Sequence, residues 1–506
     1  MSFLLAFLPI AVILALMVGY RWGASRAGAA GYLTALVVAV AFFGAGPRLL
    51  AYAHAKALLL TVDVLLIIWA AFLLFRVADE AGAIRTIGDA LPHLTADRGM
   101  QALLIGWVFA SFLQGVGGFG VPVAVIAPIL AGLGFSPLAA VVIPSVGHSW
   151  AVTFGSLGSS FNALMAATNL PFDVLAPDAA RFLGIAGVAV GLLVLHAAEG
   201  WSAVRRLFLP AVLLGAVMAA GQYLAATAGL WNVGSFLGSL GGLVVAIPLA
   251  RRYRGPLRDN GRLDTRRVLI ALSGYAVLVA VTLGVQLLPG ARAALGGVAV
   301  LRVEFPEMAT SLGFVTPAGP GRVIHFLRHA GTILGVSSLL AYLIYRKAGW
   351  YGPGAGKRIL TGTVTRVMSS SVGIASMVAM AVVMQHAGMT DALARGLAEG
   401  VGRAYPAVAP WIGALGAFMT GSNTNSNVVF AALQQRTAEL LGYSVALILA
   451  AQTAGGALGS VIAPTKIVVG ASTGGMAGRE GEVMRKMLAY TGALIVLVSF
   501  LAFLGS

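Results

Sequence analysis

Residues 418–434 read FMTGSNTNSNVVFAALQ. Six consecutive uncharged hydrogen-bonding side chains, Ser422 to Asn427, stand between apolar flanks. The flanks belong to a chain of 506 residues that is 59% hydrophobic and 10% charged, with mean hydropathy +0.92. Soluble domains carry about 25% charged residues. The apolar residues come in runs, at 3–20, 29–46, 57–75 and 488–504, each close to the roughly 20 residues needed to cross a bilayer. The polar stretch therefore sits inside a polytopic, all-α membrane protein, where an unpaired polar group is costly.

Working outward, the spans fall at 3–20, 29–46, 57–78, 137–160, 180–198, 207–228, 231–250, 267–289, 329–346, 364–386, 444–466 and 488–504. Two segments, 100–134 and 407–442, are too long for one straight crossing. Gly and polar residues interrupt them, and they read as re-entrant hairpins. The architecture is thus about twelve transmembrane helices plus two hairpins. Basic residues set the orientation, because they gather in cytoplasmic loops. Arg251, Arg252, Arg254, Arg258, Arg262, Arg266 and Arg267 fall in the loop 251–267. With that loop inside, 346–366 and 79–98 are also inside, 290–328 is outside, and both termini are outside. The net charge of +16 is accounted for by these loops and does not imply nucleic acid. The N-terminal run lacks a basic leader and reads as a retained helix.

The stretch FLQGVGGFGVPVAV at 112–125 occupies the equivalent place earlier in the chain. Phe112 aligns with Phe418 and Gly115 with Gly421, both displaced by 306 residues, as are Ala81-Gly82 and Ala387-Gly388. After a two-residue insertion, Gly134-Phe135-Ser136 aligns with Gly442-Tyr443-Ser444 and Gly147 with Gly455. Each hairpin precedes a second long segment with a polar break, 137–171 and 444–478. The loop assignments orient the two copies oppositely. Inverted repeats with interrupted helices are typical of secondary transporters, whose substrates bind where the repeats meet. The chain divides into scaffold helices at 1–60, a first repeat at 61–200, scaffold helices with the basic loop at 201–350, and a second repeat at 351–506.

QGVGGFGVPVAV (114–125), VTFGSLG (152–158), FMTGSNTNSNVVFAALQ (418–434) and VGASTGGMAGREGEVMR (469–485) resemble the L-lactate permease family of 2-hydroxymonocarboxylate:proton symporters. The resemblance runs over most of the chain. It implies a scaffold domain, a mobile transport domain moving in an elevator-like way, and carboxylate and coupling-ion binding at Ser422-Asn423-Thr424. The chain departs from the family pattern at Gln114, where a glutamate is expected, and at Lys466, near an expected asparagine. Glutamine cannot titrate.

The candidate substrate-binding residues are Ser422, Asn423, Thr424, Asn425 and Asn427 on the second tip. Gln114, Gly115, Gly117 and Gly118 supply the first tip. Ser145, Ser149, Thr453, Gly455 and Gly456 lie at the helix breaks. The blander reading of the Ser/Thr/Asn set is interhelical glue, and that of the glycines is close helix packing. His148 and Asp63 are the proton-coupling candidates, since ionisable groups within a membrane are functional suspects; a structural hydrogen bond or a helix cap is the alternative for each. Lys466 is a charge-compensation candidate, or else snorkels to an interface. Residues 80–98 and 389–404 read as amphipathic interfacial helices.

These readings point to a symporter for L-lactate or a related acid such as D-lactate or glycolate in a prokaryotic-type inner membrane. A sodium-coupled carrier of another organic anion is the first alternative. A membrane-embedded enzyme is remote, since there is no cysteine and no HExxH, and a passive anion channel is a remote alternative against which the inverted broken repeats argue. No cofactor and no metal are expected. The partners are a small carboxylate with protons (or sodium), the lipid bilayer and, as an option, a second copy in a homodimer.

Overall fold

The computed structural model describes residues 2–20, 22–118, 120–253 and 264–506. Ten helices among them are long and apolar enough to cross a membrane, with shorter apolar helices at Ser2–Met17 and Val121–Gly132. The expected spans at 207–228 and 231–250 lie in one helical run, Phe208–Arg252, and the span at 329–346 is the helix Ala330–Lys347. Arg254, Arg258 and Arg262 lie outside the described residues. Arg251 and Arg252 end one helix and Arg266 and Arg267 begin the next.

One order of elements occurs twice. A long helix (Pro47–Glu80; Ala355–His386) leads to a short amphipathic one (Ala83–Ala90; Met389–Val401). A helical hairpin follows, with arms 98–116 and Val121–Gly132 in the first copy and Tyr405–Thr420 and Asn423–Leu441 in the second. Next comes a broken helix: Pro137–Gly147 resuming at Ser159–Thr168, and Val445–Gly459 resuming at Pro464–Thr473. A long helix closes each copy (Phe172–Glu199; Glu480–Leu504).

The aligned sequence triplets have a physical meaning in these elements. Gly134 and Gly442 follow the hairpins with φ +86° and +72°. That left-handed conformation ends a helix cheaply only for glycine. Two residues on, Ser136 accepts a hydrogen bond from Ala139 N and Ser444 from Leu447 N, each at 3.3 Å. Both serines are N-caps. Gly-aromatic-Ser is thus a stop followed by a start. Gly147 and Gly455 also share one role. A Cβ on Gly147 would strike the Gly106 carbonyl, and one on Gly455 the Pro410 carbonyl. Each broken helix packs backbone to backbone on the first arm of its own hairpin, as small residues allow in a bilayer.

The all-α expectation needs one correction. Residues 300–325 form an antiparallel β-hairpin, pairing Val300 with His325, Glu304 with Pro320 and Ala309 with Val315. Alternation of exposed and buried side chains, as at Glu304 and Phe305, supplies a period of two. The short run VLRVEF between Gly- and Pro-rich turns was concealed within the expected loop 290–328. Its tip is held by Ser311 N donating to Gly44 O at 2.9 Å.

Candidate functional site

The two helix breaks and the two hairpin tips converge. After Gly147 the first broken helix gives way to short 3-10 turns at Ser149–Ala151 and Ser156–Gly158. Ser156 and Leu157 have φ +48° and +55°. Non-glycine residues held there cost about 1–3 kcal/mol each and cluster at functional sites. Gln114 Nε2 lies 3.5 Å from Ser156 Oγ, and a Cβ on Gly118 would meet the same serine. The first tip therefore rests on the first break. The second tip turns at Gly421, φ +72°, beside Thr465 at the second break.

The six polar residues of the second tip divide by task. Ser422 is an N-cap, accepting from Asn425 N at 3.4 Å. Asn423 Nδ2 donates to Thr153 Oγ1 (3.1 Å) and to Thr453 O (3.2 Å). Thr424 and Ser160 share a hydroxyl hydrogen bond of 3.1 Å. Asn427 Nδ2 donates to Ser160 O and to Thr453 Oγ1, both at 2.9 Å. Ser426 donates to Gly413 O at 2.7 Å within its own hairpin and accepts from Gln452 Nε2. Asn423, Thr424 and Asn427 thus join one repeat to the other, and Ser426 clamps the second repeat.

Carbonyl partners accept only, so they fix both bridging amides with nitrogen toward Thr453 O or Ser160 O. Their oxygens face away. Asn423 Oδ1, Asn425 Oδ1, Asn427 Oδ1 and Gln114 Oε1 are buried with no hydrogen-bond partner among the described residues. Buried polar atoms are normally satisfied. The site carries unspent acceptors, whereas the donors on these residues are largely spent.

A cavity of about 1010 Å³ opens beside the second tip. Gly421, Ser422, Asn425, Thr465 and Lys466 line it on the side of the second tip and second break, with Val121 from the first hairpin. Phe72, Phe75 and Thr361 line the wall, and Arg76, Arg358 and Arg366 also line it. The Lys466 ammonium donates to Ser460 Oγ at 3.0 Å. His148 Nδ1 donates to Pro144 O at 2.6 Å, leaving Nε2 buried and unpartnered. His148 lies within the electrostatic reach of Lys466.

Other expected residues sit elsewhere. Ser145 and Ser149 bond back to Val141 O and Val146 O. Gly115 lies against the Phe236 backbone, Gly117 against Phe75, and Gly456 against Asn423 Oδ1. Asp63 is paired with Arg322 and His329, each at 3.1 Å. The arginines of the cavity wall, with Ser160 and Thr153, were not singled out from the sequence. Thr153 lies within VTFGSLG and Ser160 two residues after it, and that motif was the only local signal for them.

Comparison with known proteins agrees with the motif resemblance. The model of the L-lactate permease family matches residues 2–506. The L-lactate permease of Bacillus subtilis (strain 168) is 28% identical over 470 residues, 85% of this chain and 82% of the relative. The glycolate permease GlcA of Escherichia coli (strain K12) is 29% identical, over 83% and 80% of the two chains. The L-lactate permease of the same strain is 26% identical over the same shares. Among solved structures, the YdaH transporter of Alcanivorax borkumensis aligns with TM-score 0.49 and 15% identity, over 87% and 84% of the two chains.

Proposed function

This chain belongs to the L-lactate permease family, and from that premise we propose that it moves L-lactate, glycolate or a similar 2-hydroxymonocarboxylate across the membrane together with a proton. One observation carries the reading. Asn425, whose amide oxygen is buried and unpartnered, lines the same cavity as the Lys466 ammonium. A 2-hydroxy acid offers the complement: a hydroxyl that donates to an amide oxygen such as Asn425 Oδ1, and a carboxylate for Lys466. The amino end of Asn423–Leu441, aimed at the same space, adds its dipole, worth about 0.3–2 kcal/mol.

The coupling follows from charge. A protonated His148 and the Lys466 ammonium repel one another. A carboxylate held at Lys466 cancels that repulsion, so anion and proton bind more readily together than singly. The effect is reciprocal by thermodynamic necessity. Partial neutralisation also lowers the cost of carrying charge through the bilayer.

In the same reading the two hairpins are re-entrant, twelve helices cross, and both termini lie outside. The hairpins and broken helices form the mobile transport unit, and the flanking helices form the scaffold. By the distribution of basic residues, the arginine-lined cavity opens to the cytoplasm. The unspent amide oxygens favour one second reading, sodium in place of the proton, because neutral oxygens suit a hard monovalent cation. Uptake of lactate, glycolate and a dicarboxylate into proteoliposomes, under separately imposed proton and sodium gradients, tests both. Lactate uptake that follows the sodium gradient and ignores pH would remove the proton reading.

A further inference from the structure

Asp63 and Arg322 are 259 residues apart and meet, with Asn162, away from the cavity. Asp63 stands on Pro47–Glu80, its side chain 2% exposed. Its Oδ2 accepts from Asn162 Nδ2 (2.8 Å) and Arg322 Nε (3.1 Å), and its Oδ1 from His329 Nε2 (3.1 Å). Arg322 Nη2 also donates to Asn162 Oδ1 at 3.3 Å. Asn162 is therefore gripped at both ends of its amide. His329 Nδ1 accepts from Gly331 N at 3.1 Å, which leaves Nε2 as the ring's donor to Asp63.

The two partners of Asn162, Asp63 and Arg322, and the His329 that holds Asp63 come from different elements. Asp63 belongs to a long helix that packs along Ala355–His386 and Ala330–Lys347, and His329 caps the latter. Arg322 lies between the last two strands of the β-hairpin, Gly319–Pro320 and Ile324–His325. That hairpin rests on the Asp63 helix itself through Leu59, and on the ends of other helices through Gly44 and Gly388. Asn162 itself rides on Ser159–Thr168, the resumed half of the first broken helix. Two residues earlier on that helix, Ser160 bonds Thr424 and accepts from Asn427. The binding tip and this ion pair thus hold one short helix at neighbouring positions. The Arg322 side chain is 22% exposed, so the pair is reachable from solvent through the arginine alone.

We propose that Arg322 is a removable bolt: with Asp63 it fastens Asn162, and so the site-bearing helix, to the surrounding helices while the cavity is open on the arginine-lined side. Asn162 and Arg322 are then positioning residues of the transport cycle. The helix cannot carry the site toward the opposite face until Arg322 and Asp63 release Asn162. The inference rests on the alternating-access reading above but not on the identity of the substrate.

The chain has no cysteine, so a single reporter cysteine is unambiguous. Thr361→Cys, in the cavity wall, is labelled with a membrane-impermeant maleimide in inverted vesicles holding the full chain. Labelling needs no substrate. With Arg322 present the reporter reacts fast. Arg322→Ala and Asn162→Ala each slow it about fivefold or more, and Arg322→Lys restores part of the rate. Equal rates within twofold in both alanine variants, eluting as folded protein, would overturn the bolt. In a separate arm, Asp63→Cys with Asn162→Cys is joined by a short reducible bifunctional cross-linker. Complete joining stops lactate uptake, and reduction restores it. Uptake that continues at full rate through the joined pair also overturns the proposal. Slowed labelling in a protein that ignores lactate would leave the bolt standing and remove the substrate reading instead.

Discussion

Replacing Lys466 by glutamine should separate binding from folding. The ammonium lines the cavity and holds Ser460 Oγ at 3.0 Å. A carboxylate about 4 Å away would gain about 4 kcal/mol at an effective dielectric near 20. Part of that gain offsets desolvation, and truncating one partner of a buried, hydrogen-bonded charge pair costs about 2–5 kcal/mol. Glutamine keeps a neutral donor, which places the loss near the lower end. At about 1.4 kcal/mol per tenfold, a loss of about 2–3 kcal/mol is a rise in Kd of about 30- to 150-fold. Stability should move the other way or stay level, because a buried charge is costly to bury while unpaired. Ser460 Oγ keeps its own bond to Ala457 O at 2.9 Å. The assay is equilibrium binding of radiolabelled lactate to purified protein, with thermal unfolding alongside. Lys466→Arg should bind better than Lys466→Gln. A Kd within threefold of the parent, at unchanged Tm, would refute the view that Lys466 faces the carboxylate.

Three further outcomes follow from the same geometry. Propionate, which lacks the donating hydroxyl, should bind about 2- to 10-fold more weakly than lactate, the worth of one neutral hydrogen bond; equal competition by the two acids would deny a role to the unspent amide oxygens. His148→Gln keeps a donor for Pro144 O but cannot carry a proton, so lactate accumulation should lose its dependence on an inward proton gradient while lactate–lactate exchange persists, as counterflow will report. On the short helix Met389–Val401, burial pushes the Asp391 carboxyl up, but hydrogen bonds from Arg395 and Arg436 and their charges hold it below the ordinary carboxylate range. That stability is present above the unfolded pKa and is lost as pH falls through the folded one. Asp391→Asn should therefore unfold more easily at neutral pH by up to about 1 kcal/mol, with the gap closing below pH about 4, as Tm against pH will show.

Much of the fold was legible because its signals are local. Hydropathy runs place helices without reference to the rest of the chain. Gly134-Phe135-Ser136 and Gly442-Tyr443-Ser444 carry their stop and start chemistry in three adjacent residues. Constant spacing then exposed the repeat. The β-hairpin at 300–325 was not legible, since its paired segments are two residues long and separated by irregular backbone.

By itself, the sequence determined a membrane chain of two like halves, a family, and the short stretches where helices break. Only the tertiary structure decided what those stretches do. Within GSNTNSN it separated Ser422 and Asn425, which face the cavity, from Asn423 and Asn427, which tie the repeats together. It also paired Asp63 with Arg322. The physical reason is separation along the chain. Asn423 meets Thr153 across 270 residues, Asn427 meets Ser160 across 267, and Arg322 meets Asp63 across 259. A side chain's free donors and acceptors are those its neighbours leave over, and neighbours that distant are set by packing.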